Sequence, residues 1–227
     1  MRSSKPILCQ KRSKLKPAQL AGVYAALRKV FGHQNWWPGE TPFEVMVGAI
    51  LTQNTAWTHV EKAILNLRKA KMLSFAALRS ISQKELAQLI RPAGYFNVKA
   101  DRLRCFMEFL DRECCGDLTL LKRAGMPVLR KKLLAVKGIG PETADSILLY
   151  ALRKRSFVID TYTRRIFSRH GLAPEQASYE TWREIFTQAL PPDLDLFNDY
   201  HAQIVQLAKA YCRKVPRCDG CPLRRFF

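Results

Sequence analysis

Acidic residues are scarce in this sequence: 19 Asp+Glu stand against 38 Lys+Arg, a formal net charge of +19 at pH 7. That imbalance goes beyond what solubility needs and implies a polyanionic partner. Nucleic acid comes first, because each phosphate neutralised by Lys or Arg releases a condensed counterion; an acidic membrane surface is the rival. Long hydrophobic runs are also lacking. The longest nearly apolar one, FEVMVGAIL (43–51), is too short to span a bilayer and contains a carboxylate. No secretory apolar segment follows the basic start MRSSKPILCQKRSKLK (1–16), so the expected setting is the cytoplasm, with a basic N-terminal arm and no membrane contact. The seven cysteines are an odd number, which argues against a fully paired disulfide framework. Cys9, Cys105, Cys114 and Cys115 are scattered or adjacent, and only Cys212, Cys218 and Cys221 cluster as ligands would. Low-complexity segments and repeats of fixed period are absent. So are alternating strand patterns joined by Asn-Gly or Asp-Gly turns, apart from RSFVID (155–160), which could as easily be a connector.

What the sequence does have is helical periodicity. The stretch AQLAGVYAALRKVF (18–31) places Leu20, Val23, Leu27 and Val30 at three- and four-residue steps. THVEKAILNLRKA (58–70) does the same with Val60, Ile64 and Leu67. SQKELAQLIRPAG (82–94) opens with the capping-box pair Ser82 and Glu85 and stops at Pro92 and Gly94. The segments 99–114 and 203–212 carry the same period. The fold class predicted is all-α. Loop signals fall at 36–42, 116–117, 171–178 and 191–195 with no long linker between them, so two domains, if there are two, pack together.

LLAVKGIGPETADSILLYALRK (133–154) reads as helix, tight turn, helix. Gly138 and Gly140 permit backbone conformations closed to residues with a Cβ, and Pro141 suits a first helical turn, where its missing amide would have no partner. Ala144, Ile147, Leu148 and Ala151 share the buried face of the second helix. Backbone amides at such a helix start form an anion site, which in so basic a chain suits a DNA phosphate. From the two glycines alone, a plain hairpin turn that lets two helices approach closely accounts for the pattern equally well. Eighteen residues after Glu142 stands Asp160, in FVIDTYTRRIF (157–167), at the end of an apolar run and the start of a helix. Alone, it reads most simply as the cap of that helix.

The hairpin, followed by Asp160 in a V-D-T-like segment, resembles the helix-hairpin-helix DNA glycosylase superfamily, the endonuclease III relatives. GYFNVKA (94–100) and YHAQIVQLAKAYC (200–212) are similar to two further family segments, and the resemblance covers most of the chain. It implies a six-helix domain at residues 35–154 and a second helical domain made of 1–34 and 155–227, with the active site in the cleft between them. Asp160 is the implied catalytic residue. An ionised carboxylate beside C1′ stabilises the positive charge that develops on the sugar and can orient or deprotonate the attacking water. Lys137, Gly138, Ile139, Gly140, Glu142 and Thr143 are the implied DNA contacts of the hairpin. Bifunctional members place a Schiff-base lysine two residues after the second glycine. Here that position is Glu142, which cannot form an imine, and Lys137 precedes the turn.

Trp36, Trp37 and Trp57 flank the apolar 43–51 run, while Trp182 belongs to an amphipathic stretch and is expected in the core. Enzymes acting on bases extrude the nucleotide against aromatic faces, and indole suits a cationic alkylated purine best. The strings WWP (36–38) and LTQNTAW (51–57) resemble the 3-methyladenine branch of the family, in which Trp36, Trp37, Pro38 and Trp57 would line the base pocket. Ordinary packing explains the tryptophans too. Gln53 and Asn54 are candidates for the side chain that fills the space left by a flipped base, or else they cap a turn. The resemblance therefore implies a monofunctional glycosylase for alkylated purines in double-stranded DNA, a monomer, whose chemistry needs no cofactor. Excision of damaged or mismatched pyrimidines, with weak lyase action, is the enzymatic alternative, and a non-catalytic DNA-binding module is the alternative of another class.

Cys212, Cys218 and Cys221 give C-x5-C-x2-C, against C-x6-C-x2-C-x5-C in the family's [4Fe-4S] loop, and Phe227 stands where a fourth cysteine is expected. Such a cluster normally takes four thiolates. Either three cysteines and another ligand bind it, or it has been lost; a zinc site would also want a fourth ligand.

Overall fold

A computed structural model describes residues 15–226, the side chain of Arg225 excepted; most of the basic arm, Cys9 and Phe227 lie outside the described residues. The helices are α1 (Leu20–Phe31), α2 (Pro42–Leu51), α3 (Trp57–Lys69), α4 (Phe75–Ser80), α5 (Gln83–Leu89) and α6 (Phe96–Cys114). They continue as α7 (Leu118–Arg123), α8 (Met126–Leu134), α9 (Pro141–Ser146), α10 (Thr161–Arg169), α11 (Tyr179–Ala189) and α12 (Leu194–Ala210). No strand occurs among the described residues, so the all-α expectation holds. RSFVID is a connector, with Phe157, Val158 and Ile159 buried. None of the described helices is long and apolar enough to cross a membrane.

Local chemistry sets the helix starts. Thr41, Ser74, Ser82, Asp117, Asp160 and Ser178 each accept a backbone N–H of their own first turn, and both bonds of the Ser82/Glu85 capping box form. The chain divides into two compact units: Asn35–Val158 with Pro192–Asn198, and Met1–Gln34, Ile159–Pro191 and Asp199–Phe227.

In the first unit α2 is buried on every side from Phe43 to Leu51, which is why its sequence reads as one apolar run rather than an amphipathic stripe. It packs against α3, α6, α9 and the π-helical turn Ile147–Ala151 that continues α9. Two charged groups are buried here with their partners. Asp145 takes a two-pronged bond from Arg130, Nε at 2.8 Å and Nη2 at 3.0 Å, which ties α9 to α8. Lys99, 1% exposed, donates to the Leu51 carbonyl at 2.7 Å, Thr55 Oγ1 at 2.6 Å and the Ala93 carbonyl at 2.8 Å. One ammonium thus joins the end of α2, the 52–56 loop and the turn before α6.

The second unit packs Leu20, Leu27, Phe167, Trp182, Phe186 and Tyr200 into a core, with the Phe167 and Phe186 rings edge to face at 5.0 Å. Trp182 is fully buried, as its amphipathic surroundings suggest. Buried Asp199 on α12 accepts from the Tyr24 hydroxyl, Arg28 and the Gln34 amide, fixing the chain after α1.

Burial, and then the nearby Arg102 guanidinium, lower the Lys99 pKa to about 8, still above neutral pH, so the ammonium persists there. Lys99→Met keeps the stem but strands its oxygens, and should cost roughly 2–4 kcal/mol in urea unfolding at pH 7. Between pH 8 and the ordinary lysine value of 10.5 the unfolded chain holds a proton that the native Lys99 has released, so this contribution to stability rises with pH. The gap between wild type and Lys99→Met should therefore widen from pH 8 to 10; a gap that narrows would contradict the assignment.

Candidate active site and nucleic-acid interface

The hairpin runs from α8 through Lys137–Gly140 into α9. Gly138 has φ +87°, and a Cβ there would stand 2.3 Å from Arg102 Cγ, so this position needs glycine twice over. Gly140 differs from expectation: its φ of −87° and ψ of 176° are ordinary extended backbone, and a Cβ would meet open space. It serves as the N-cap, with Pro141 at the first helical position. Between the glycines, Ile139 inserts into the core at 4% exposure. Lys137 and Glu142 are exposed, with Glu142 in the first turn of α9.

Gln53 holds this turn from outside. Its Nε2 donates to the Gly138 carbonyl at 3.0 Å and to the buried Thr143 hydroxyl at 2.9 Å, while its Oε1 accepts from Arg102. Asn54, next to it, is exposed in the left-handed conformation with φ 52°. The two neighbours thus differ: one is tied into the hairpin and the other is exposed.

Trp36, Trp37 and Trp57 come together in the same unit. Trp37 meets Trp57 edge to face at 5.1 Å and 89°, and lies 5.3 Å from Trp36. Tyr150, which the sequence reading passed over as part of a core helix, lies 5.1 Å from Trp37 and makes a fourth member. All three tryptophans keep partial exposure, and Pro38 is exposed beside them. The Trp36 indole N–H is buried without an acceptor. Trp57 donates its own to Glu61.

Asp160 lies in the other unit, as the N-cap of α10. Its Oδ1 accepts from the Thr163 amide at 2.7 Å and the Thr163 hydroxyl at 2.8 Å. His201 Nε2, on α12, stands 3.6 Å from Oδ2. Burial pushes the Asp160 carboxyl up, but His201 and the Thr163 donors outweigh it and hold the group below the ordinary 3.8, ionised at neutral pH. His201 lies within YHAQIVQLAKAYC (200–212), yet nothing local marks it, because its partner is 41 positions upstream. The cap and the ionised carboxylate are therefore compatible uses of one residue.

Cys212 is buried, Cys221 half-buried and Cys218 exposed. Burial raises the Cys221 thiol pKa, and the nearby Cys212 and Cys218 add to the shift. Among the described residues no group of three or more His, Cys, Asp and Glu could hold a metal ion. Arg169 instead donates to Cys212 Sγ at 3.4 Å and to the carbonyls of Arg213 and Lys214, and Arg165 to that of Cys212. The three cysteines are one thiolate short of the four that a [4Fe-4S] cluster normally takes, and arginines of α10 pin the loop.

Comparison with known proteins agrees with this architecture. The chain belongs to the HhH-GPD superfamily of base excision DNA repair proteins, whose pattern it matches over residues 47–192, and it is a DNA glycosylase of that superfamily. It is 47% identical over 206 residues to MJ1434 of Methanocaldococcus jannaschii, a proposed DNA repair glycosylase, covering 90% of this chain and 93% of that one. It is 30% identical over 185 residues to endonuclease III of Sulfolobus acidocaldarius, covering 81% and 80%. Among solved structures it resembles the H. pylori 3-methyladenine DNA glycosylase MagIII bound to 1,N6-ethenoadenine. There the TM-score is 0.74 and the identity 27%, over 86% of this chain and 98% of that one.

The two glycines should separate experimentally. Gly138→Ala forces a Cβ into a strained, occupied position and should cost about 1–3 kcal/mol of stability. Gly140→Ala should cost less than about 1 kcal/mol. Thermal melts of both variants check this; equal losses would contradict the geometry.

Proposed function

We propose that this DNA glycosylase excises alkylated purines of the 3-methyladenine type from double-stranded DNA by hydrolysis and stops at the abasic site. The observation that carries this reading is the group of Trp36, Trp37 and Trp57 with Tyr150. Electron-rich aromatic faces attract a base that alkylation has made cationic, and the buried Trp36 N–H offers a donor to one of its acceptor atoms. The likeness to MagIII supports the same substrate class. The cationic base is a good leaving group, so its departure needs little acid assistance.

Asp160 then supplies an ionised carboxylate where positive charge develops on the sugar, and it orients the attacking water. The proton released by that water passes to the carboxylate or to bulk solvent, and no metal or cofactor takes part in the step as proposed. The backbone amides at Gly140 and in the first turn of α9, with Lys137 beside them, grip the DNA backbone. Asn54, exposed and unlike Gln53 not bonded to the hairpin, is assigned to the space vacated by the flipped base. Glu142 stands where lyase members carry the imine-forming lysine, which supports base removal without strand cleavage.

A second reading, excision of damaged or mismatched pyrimidines, has its support in the likeness to endonuclease III and, at 27% identity, to a thymine/uracil-DNA glycosylase of Pyrobaculum aerophilum. Incubation with methylated, uracil-containing and thymine-glycol duplexes separates the two. Release of methylated purines alone is expected; release of pyrimidines alone would replace the first reading by the second. Asp160→Asn should reduce release by about a thousandfold with DNA affinity retained. Unchanged release would remove Asp160 from the mechanism.

A further inference from the structure

We propose that His201 is the positioning residue of this site: its imidazole faces the second oxygen of Asp160 and aims the carboxylate for the reaction. The inference rests on the reading of Asp160 as the catalytic group and adds to it a partner in the same structural unit.

A helix cap needs one oxygen of its aspartate, and here Oδ1 alone takes both Thr163 donors. Capping thus leaves Oδ2 unexplained, and it is this oxygen that His201 Nε2 approaches, at 3.6 Å. His201 is 5% exposed, on a stretch of α12 whose Ala202, Ile204, Val205, Leu207 and Ala208 are all buried. An aliphatic side chain would pack there at lower cost, since burying a polar imidazole is unfavourable, and the Asp160 carboxylate is what its Nε2 approaches. The separation exceeds a good direct hydrogen bond, as catalytic contacts often do before substrate binds.

Four charged or titratable groups on neighbouring elements are directed elsewhere. Arg164 donates to the Ala177 carbonyl and Arg165 to the Cys212 carbonyl. Asp199 is engaged by Tyr24, Arg28 and the Gln34 amide, and the Tyr179 hydroxyl accepts from the Ile159 amide. His201 and Thr163 are thus the groups that oppose the effect of burial on Asp160. Fixing one oxygen to the cap and the other to the imidazole leaves the carboxylate a single orientation.

The test uses the full chain with His201→Ala and His201→Gln. The Asp160 carboxyl is titrated by 13C NMR, its resonance assigned by its disappearance in Asp160→Asn, and base release is measured in single turnover. In the wild type the midpoint should lie below 3.8. His201→Ala should raise it, because burial then dominates, and should slow release about 10- to 100-fold with DNA affinity unchanged. His201→Gln, which can present an N–H, should recover part of both effects. An unmoved midpoint in His201→Ala overturns the inference, whether or not the rate falls, because a merely structural loss would leave the carboxyl where it is. If His201→Ala does not fold, the glutamine variant decides: a midpoint above the wild type supports the inference, and coincidence with the wild type overturns it. Base release that survives in Asp160→Asn would instead defeat the underlying reading of Asp160.

Discussion

A buried ammonium must find an oxygen for each of its protons, and the Asn35–Val158 unit is arranged around one that does. Lys99 draws together the end of α2, the 52–56 loop and the turn before α6. The loop it anchors carries Gln53, which closes on the Gly138 carbonyl and the Thr143 hydroxyl, and it leads directly into Trp57. One interaction deep in the core therefore anchors the loop that bonds the hairpin, carries the exposed Asn54 and leads into the aromatic group. The arrangement is demanding because none of the oxygens that meet the cation can be left unpaired inside the unit.

Charge is handled differently at each place where it is buried. Asp145 is neutralised by the fork of Arg130 and also accepts from the Ser156 hydroxyl, and its role is to fasten one helix of the hairpin to the other. Asp160 is held by weaker donors, two on one oxygen and a more distant imidazole on the other. A carboxylate fastened by arginine is spent on structure, whereas one kept ionised by neutral or distant donors retains its capacity to stabilise a developing cation. The same distinction separates Gln53 from Asn54, adjacent in sequence but one bonded into the fold and the other exposed.

Features governed by residues close in sequence were legible without coordinates. The capping box at Ser82, the proline start of α9, the cap at Asp160 and the all-helical class follow from spacing and side-chain chemistry within one turn. Gly140 shows where such reasoning overreaches, since its pairing with Gly138 suggested a special conformation that only Gly138 adopts. Contacts that close over long stretches left no local trace. Lys99 meets Leu51 across 48 residues, Gln53 meets Thr143 across 90, and His201 meets Asp160 across 41. Tyr150 was hidden for another reason: within an apolar helical run an aromatic that packs in the core and one that joins the tryptophan group look alike.

Hydrolysis with Asp160 as the chemical group, as proposed, needs no amine to attack the sugar. Borohydride trapping during turnover on a methylated duplex tests it most directly, because reduction converts any imine between a lysine and the sugar into a permanent protein–DNA crosslink. Released methylpurine, an intact strand at the abasic site and no crosslinked species on a denaturing gel are expected; a crosslink that accumulates in step with base release would overturn the hydrolytic reading.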